Sequence, residues 1–503
     1  VLALFIAAAV AIVYVRAEPI LRKRVIDTLS TRFHGKVTMD EFHASLFHGF
    51  QVEGKGLRIY GETDPNIHQP GIQPLIAIAE FRFETGLLQL LLTPTHVNTV
   101  TMKGLRLNLP PRDQRDGANS VHKREKIEVS VDEFICEDAG LVINTSRMDK
   151  DPLVFAIANL KMKDIGPGQP MRFDANLTNP KPVGTIVSHG SFGPWHSDDP
   201  RSTPVKGNYV FSNADLSTIK GISGMLSSKG EYAGSLDKIV VDGTTNTPDF
   251  RVAESGQPVP LSTRFHATVD GTSGDTYLQP VNATLLHTSI VAAGSVVRMK
   301  NAQGHHIQLN ITINQGRMED LLRVGVKTTP PIMTGAVNLK TSFNLPPGDM
   351  NMAERLRLAG TFRVTGAHFT NRKVQAKVDN LSMRAQGKPK LAKDNIPDNV
   401  PSNLDGTFKL NRGLLSFSEL HFEAPGTQVN LTGKYSLDGN EFDFRGKARL
   451  DAKLSHLVTG WKSLLLKPVD PFFHKHGAGT EVGVKITGTK SEPHFGLNLG
   501  GGQ

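Results

Sequence analysis

Apolar positions along this chain follow successive periods, and each predicts a different element. Val1 to Val15 (VLALFIAAAVAIVYV) is an unbroken apolar run closed by Arg16. As a helix it would be about 22 Å long, against the roughly 20 residues that span hydrocarbon. We read residues 1–17 as a transmembrane anchor, with a cleaved secretory signal and a buried core helix as the alternatives. Beyond it, Ile20, Leu21, Val25, Ile26, Leu29 and Phe33 recur at helical spacing, while Arg22, Arg24, Asp27 and Thr28 are polar. The pattern predicts an amphipathic helix of about 14 residues. It opens at Glu18-Pro19, where the donor that proline lacks costs nothing, and stops at Gly35. Such a helix would lie on the end of a sheet or on a membrane surface.

From Gly35 onward the period is two, the spacing of a strand with one wetter face. Val37, Met39 and Phe42, then Phe50, Val52, Leu57 and Ile59, then Ala77, Ala79, Phe81 and Phe83 mark the first strands, and Val97 to Leu109 another. Gly86 to Leu92 reads as a short apolar turn or helix, and 64–74 as a turn-rich excursion. The clearest strands are Thr407 to Leu410, Leu415 to Phe422, Val429 to Leu437, Phe442 to Leu450 and Val482 to Ile486, separated by glycine and Asp-Gly signals. The segments Gly230 to Phe250, Ala359 to Val378 and Leu404 to Leu431 share one cadence. Each has a glycine, an aromatic strand, a turn and a second alternating strand, a degenerate hairpin of about 20–25 residues that lets a sheet grow unit by unit.

The expected fold is therefore mainly β. It is an elongated, curved antiparallel or mixed sheet of repeated hairpins, with an amino-terminal transmembrane helix and few short helices. The expected divisions are the anchor at 1–17, a helix and β region at 18–110, a charged linker at 111–126, a central β-rich region at 127–400 and a carboxy-terminal β domain at 401–503. The last carries an inserted helix near 453–467, where Leu454, Leu457, Val458, Trp461, Leu464 and Leu465 recur at near-helical spacing. That helix would cap the sheet or meet a membrane or partner.

Composition agrees with a folded β-rich chain: 503 residues, 38% hydrophobic and 21% charged, with 48 glycines and 30 prolines. The net charge of +9 is spread along the whole length and suggests no more than loose attraction to anionic surfaces. Arg16, Arg22, Lys23 and Arg24 flank the apolar run, and the positive-inside bias taken alone places that flank in the cytoplasm. A single cysteine, Cys136, excludes an internal disulfide and any cysteine-rich metal site.

Motifs that carry chemistry are scarce. The 18 histidines include no H-E-x-x-H; His305-His306, His474 with His476, and His196 with Asp198 and Asp199 supply too few ligands for zinc. There is no G-x-S-x-G elbow, no Walker lysine and no dinucleotide glycine set. Lys123, Arg124 and Lys126 form a short basic patch without aromatic platforms, which argues against nucleic acid. No catalytic residue, cofactor or metal site is assigned.

Two regions resemble the AsmA-like proteins of Gram-negative envelopes. At the head the likeness lies in the apolar run, Pro19 to Phe33 (PILRKRVIDTLSTRF), and Gly35 to Phe47 with Gly49, Gly54 and Leu57-Arg58-Ile59. At the tail it lies in Leu404 to Gly413 (LDGTFKLNRG), Leu415 to Phe422, Val429 to Gly433 (VNLTG) and Gly488 to Phe495 (GTKSEPHF). The resemblance implies a single-pass inner-membrane protein with its bulk in the periplasm. It implies a non-enzymatic role in binding or guiding lipid, phospholipid or lipopolysaccharide, in outer-membrane assembly or homeostasis. The alternatives are a scaffold for envelope proteins and, less favoured, an envelope hydrolase. The groove candidates are Phe408, Phe417, Val429, Leu431, Phe442 and Phe444; Ile20, Leu21, Leu29 and Phe33 are the candidates nearest the membrane.

Overall fold

The computed structural model describes residues 18–31, 33, 35–45, 50–61, 73–86, 95–109, 129–144, 152–196, 199–253, 256–299, 302, 304–327, 329–388, 399–437, 442–452, 480–488 and 493–498. The chain is mainly β, hairpin-rich, with antiparallel and mixed pairing and few short helices. It divides into two compact units, 1–218 with 226–241, and 219–225 with 242–503.

The first unit opens with helix α1 (18–31) and strands β1 (Val37–Thr38), β2 (Glu41–Ser45), β3 (Phe50–Ile59), β4 (Ile76–Thr85), β5 (Thr95–Lys103) and β6 (Arg106–Leu109). It continues with β7 (Val129–Ile143), β8 (Leu153–Ile165), β9 (Met171–Pro180), β10 (Val183–Phe192) and β11 (Pro204–Asp215). β1 and β2 both pair with β3, and β3 with β4. β5 and β6 lie between β4, antiparallel, and β7, parallel, so the sheet is mixed at this point. Gly104, with φ +66, stands where β5 gives way to β6. From β7 to β11 the pairing is sequential and antiparallel.

The apolar side of α1 has a protein partner. Leu21, Val25, Ile26, Leu29 and Phe33 pack on a core of Val37, Met39, Phe42, Leu57, Ile59, Ile78 and Phe81. Arg22 Nη2 also donates to the Met39 carbonyl at 2.5 Å, which ties the helix to the strand it covers. Of the residues expected nearest a membrane, Leu21, Leu29 and Phe33 therefore face this core, and Ile20 is 58% exposed.

Residues 226–241 of the first unit hold nearly all of β13 (Met225–Ser235) and the start of β14 (Lys238–Val252); in the second unit, β12 (Ile222–Ser223) pairs with the end of β14. The meander that follows is β15 (Val259–Val269), β16 (Thr276–Leu285), β17 (Thr288–Arg298), β18 (His305–Arg317), β19 (Met333–Leu345) and β20 (Arg357–Phe369). It runs on through β21 (Ser402–Asn411), β22 (Leu414–Ala424), β23 (Thr427–Ser436), β24 (Phe442–Leu450), β25 (Thr480–Gly488) and β26 (Pro493–Asn498). Every strand from β15 to β26 pairs antiparallel with the next. Residue 401 lies between β20 and β21, which pair.

Among the described residues three short helices accompany the meander: α2 (Met318–Gly325), α3 (Met352–Arg355) and α4 (Arg372–Ala385). α2 lays Met318, Leu321 and Leu322 on Ile313, Met333, Val337 and Val364. α4 buries Met383 and Ala385 and docks through polar groups as well. Gln375 accepts from Phe369 N at 2.9 Å, Asp379 accepts from Val400 N at 3.0 Å, and Ser382 donates to the Pro425 carbonyl at 2.8 Å. These side chains give the strand-end backbone groups the partners that burial demands.

The expected transmembrane helix requires correction. Among the described residues no helix is long and apolar enough to cross a membrane. α4, with 14 residues, is about 21 Å long against roughly 30 Å of hydrocarbon, and it is studded with charge. The single-pass inner-membrane placement and the membrane-tethered role lose their support with it. The anchor assigned to 1–17, the linker at 111–126 and the inserted helix at 453–467 lie outside the described residues.

The docking of α2 makes a stability prediction. Asp320, 3% exposed, accepts from His287 N at 3.0 Å and from Thr288 Oγ1 at 2.9 Å, and Thr288 Oγ1 in turn accepts from Arg317 N at 2.9 Å. Asp320→Ala should cost about 2–4 kcal/mol, because buried donors lose their acceptor, and Asp320→Asn less. Urea-unfolding midpoints of the two variants check this.

Candidate functional site

Alternation in an antiparallel meander puts every second side chain on one face, and the register shows which side chains meet. Phe408 faces Phe417, Phe417 faces Gly433, Gly433 faces Phe444, and Phe444 faces Ile486. One step along the strands, Leu339 faces Phe362, Phe362 faces Gly406, Gly406 faces Leu420, Leu420 faces Leu431, and Leu431 faces Gly446. A third row on the same face joins Leu358, Leu410, Leu415 and Tyr435. Register shifts between Thr407 and Phe408 and between Phe417 and Leu420 keep Phe417 and Phe422 on one face although an odd number of positions separates them.

Four rings form a ladder across these strands. Phe362 and Phe408 have centroids 6.1 Å apart, Phe362 and Phe417 6.3 Å, and Phe417 and Phe444 5.8 Å, all tilted or edge-on as aromatic quadrupoles prefer. Glycines make room for them. A Cβ on Gly433 would stand 2.6 Å from Phe444 Cδ1, so the Phe444 ring occupies the space that a side chain on β23 would fill. The string Gly-Thr-Phe occurs at Gly360-Thr361-Phe362 and again at Gly406-Thr407-Phe408, on adjacent antiparallel strands. The pairing sets Gly360 opposite Phe408 and Phe362 opposite Gly406, so each ring faces a position with no side chain.

The groove candidates fall into distinct environments. Phe408 and Phe417 are half-buried on the ladder. Leu431 is half-buried and packs on the cluster of Val429, Ala448 and Val482. Val429 and Phe444 are 8% and 6% exposed and belong to the core of the face. Phe442 pairs with Tyr435 and Gly488, and its side chain lies outside the described residues. Phe362 was missed, although the repeated Gly-Thr-Phe string and the shared hairpin cadence around it were visible signals.

Among the described residues, packing on this face comes from neighbouring strands and, toward Ile313 and Val337, from α2. Strand contacts within the meander run between sequential neighbours. The opposite face is polar and cross-linked. Lys447 meets Glu481 at 2.8 Å, Arg445 meets Asp443 at 3.2 Å, and His421 Nδ1 meets Asn430 Oδ1 at 2.6 Å around a shallow depression of about 550 Å³.

Groups with chemical potential are elsewhere and mostly engaged. Among the described residues no three His, Cys, Asp or Glu side chains converge as metal ligands. His96 contacts Ser130 Oγ at 2.9 Å and Asp132 Oδ2 at 3.0 Å, a relay-like trio on the first unit. Asp132 is 59% exposed there, so the trio lacks the exclusion of water that gives such relays their force. Cys136 faces Met102 and Leu160 in the first unit and is fully buried. Burial pushes its thiol above the usual range, opposed by the nearby Arg106 guanidinium. Burial likewise raises the hydroxyls of Tyr209 and Tyr232, which bond Ser228 and Ser188 at 3.0 and 2.8 Å.

No family model, no curated protein and no solved structure matches this chain.

A thiolate is the reactive form of cysteine, so a fully buried, raised thiol is inert. Cys136 should resist iodoacetamide at neutral pH in the folded chain and alkylate readily in denaturant, as read by intact mass.

Proposed function

We propose that the second unit is a non-catalytic binding module that holds one extended aliphatic chain along the aromatic ladder of β20 to β24. An acyl chain, of the kind phospholipid and lipopolysaccharide carry, is the matching chemistry. The observation that carries this reading is the half-buried state of Phe408 and Phe417 on a face whose rows continue through glycines. A sandwich would bury such rows under a second sheet about 10 Å away. The ladder crosses five strands, about 19 Å at the usual strand spacing, and it is only a few side chains wide. A strip of that form suits a linear apolar ligand better than a planar cofactor or a folded partner. The AsmA-like likeness of Leu404 to Gly413, Leu415 to Phe422 and Val429 to Gly433 belongs to the same proposal, because the first two segments carry Phe408 and Phe417 and the third holds Gly433, which faces both Phe417 and Phe444.

The environments of the rings separate binding from folding. Phe408→Ser and Phe417→Ser should each weaken a fluorescent fatty-acid probe by about tenfold, the worth of part of one ring's apolar area, with near-native circular dichroism. Phe444→Ala should instead cost about 3–5 kcal/mol of stability, as deletion of a core ring does. Equal probe binding by wild type and both serine variants would sink the proposal.

A further inference from the structure

Two contacts in the second unit join positions that a flat sheet would hold far apart. Gly221, in the segment 219–225 of this unit, lies one residue before β12, which pairs with the end of β14. Met352 opens α3, at the tip between β19 and β20. β14 adjoins β15, since Thr245 Oγ1 meets Thr263 Oγ1 at 2.7 Å and Asp242 Oδ1 meets His266 Nδ1 at 2.8 Å. Pairing then runs in order from β15 to β19, so five steps separate β14 from β19. Gly221 and Met352 also lie beyond opposite ends of these strands. Leu261 faces Leu285 at the end where β14 finishes, and Ile307 faces Leu345 at the other. β19 has 13 residues, about 40 Å of extended chain, and five strand spacings add about 24 Å across. Yet a Cβ on Gly221 would stand 3.3 Å from Met352 Sδ, and Lys220 Nζ donates to the Asp349 carbonyl at 3.3 Å.

Coiling of the sheet reconciles these facts. A twist of about 20–25° per strand exceeds about 100° over five steps, which swings diagonally opposite corners toward each other. The apolar face is on the inside of the curl. α2 lies on that face, and Gln257, in the connection from β14 to β15, donates to the Val326 carbonyl at 3.4 Å and to Thr329 Oγ1 at 3.0 Å, just beyond α2. The curled stretch is continuous with the ladder. Leu278 faces Gly294, Gly294 faces Leu309, Leu309 faces Phe343, and Phe343 faces Leu358, where the row running on to Leu410, Leu415 and Tyr435 begins.

The two fastenings differ in kind. α2 is held by a buried apolar cluster and by Asp320. The β19–β20 tip is braced internally, because Arg355 donates to the Pro346 and Met350 carbonyls at 2.6 and 3.0 Å. It meets the far corner through an exposed hydrogen bond and a sulfur contact on a glycine. Segments held by few apolar contacts and by exposed hydrogen bonds are those that open most readily.

Resting on the aliphatic-chain reading above, we propose that the β19–β20 tip is a latch. Closed on Gly221, it encloses the β15 to β19 stretch of the face, where the end of a tail lying on the ladder continues. Opened, it lets that tail enter and leave sideways.

A disulfide across the latch tests this on the full chain. A Cβ on Gly221 would stand 3.8 Å from Met352 Cβ, the separation that a disulfide requires. Cys136 is fully buried and does not compete. Gly221→Cys with Met352→Cys should close on treatment with diamide in the folded chain and reopen with dithiothreitol. Closure before loading should slow uptake of a fluorescent fatty-acid probe about tenfold, and closure after loading should slow its release as much. Cysteine at the φ of +96 of residue 221 is strained, but the closed and reduced forms are the same chain and share that strain. Met352→Ala leaves Gly221 and the Arg355 brace intact and should speed uptake about fivefold. Failure of the disulfide to form in the folded chain, or equal probe rates in the closed and reduced forms, overturns the latch. The ladder stands in that case if Phe408→Ser still weakens the probe. Failure of wild type to bind the probe overturns both proposals together.

Discussion

The structure depends on one constraint: each strand of the meander completes its backbone hydrogen bonds with sequential neighbours, yet alternation leaves half of its side chains on an apolar face. Backbone pairing fixes the order of the strands and leaves the cover of that face to other means. In the first unit α1 lies over β1 to β4 and seals a core around Phe42, Ile59 and Phe81. In the second unit α2 seals the region of Ile313, Val337 and Val364, while Phe362, Phe408 and Phe417 stay half-buried. What distinguishes the candidate site is thus a difference in cover along one face.

Glycine is what lets that face hold rings at all. Side chains directly opposite in an antiparallel pair have Cβ atoms roughly 5 Å apart, too close for two broad aromatics at every position. Gly360 opposite Phe408, Gly406 opposite Phe362 and Gly433 opposite Phe444 relieve this crowding. Gly446 shows how tight the approach is, since a Cβ there would stand 1.8 Å from the Asn430 carbonyl oxygen. Glycine costs a strand conformational entropy; here the loss is offset by rings that reach across strands and contact one another.

Polar groups in the second unit do positional work. Beside the buried Met383 and Ala385, α4 buries Gln375, Asp379 and Ser382, each bonded to backbone near strand ends, where apolar side chains would leave those groups unpartnered. Asp320 does the same for the turn at Leu286 to Thr288. Exposed ion pairs such as Lys447 with Glu481 contribute little each, but they mark the outer face as the one that meets water.

The sequence by itself determined the strand content, the one-sided alternation and most positions on the apolar face, because side-chain period is a local property of an extended backbone. Val429 to Leu437, for example, reads as strand and is strand from Val429 through Ser436. The amphipathic stripe of α1 was equally legible, but not its partner: the period shows that a face must be covered, and only tertiary packing shows that β1 to β4 cover it. The transmembrane expectation erred in a related way, since apolar length in sequence is a prior for a span, whereas the described helices are short and charged. Which rings meet, which are core and which are left half-covered depended on register, and register depends on bulges such as that between Phe417 and Leu420. A one-residue slip would turn every ring to the other face, so the ladder is a property of the folded sheet that composition and spacing could only suggest.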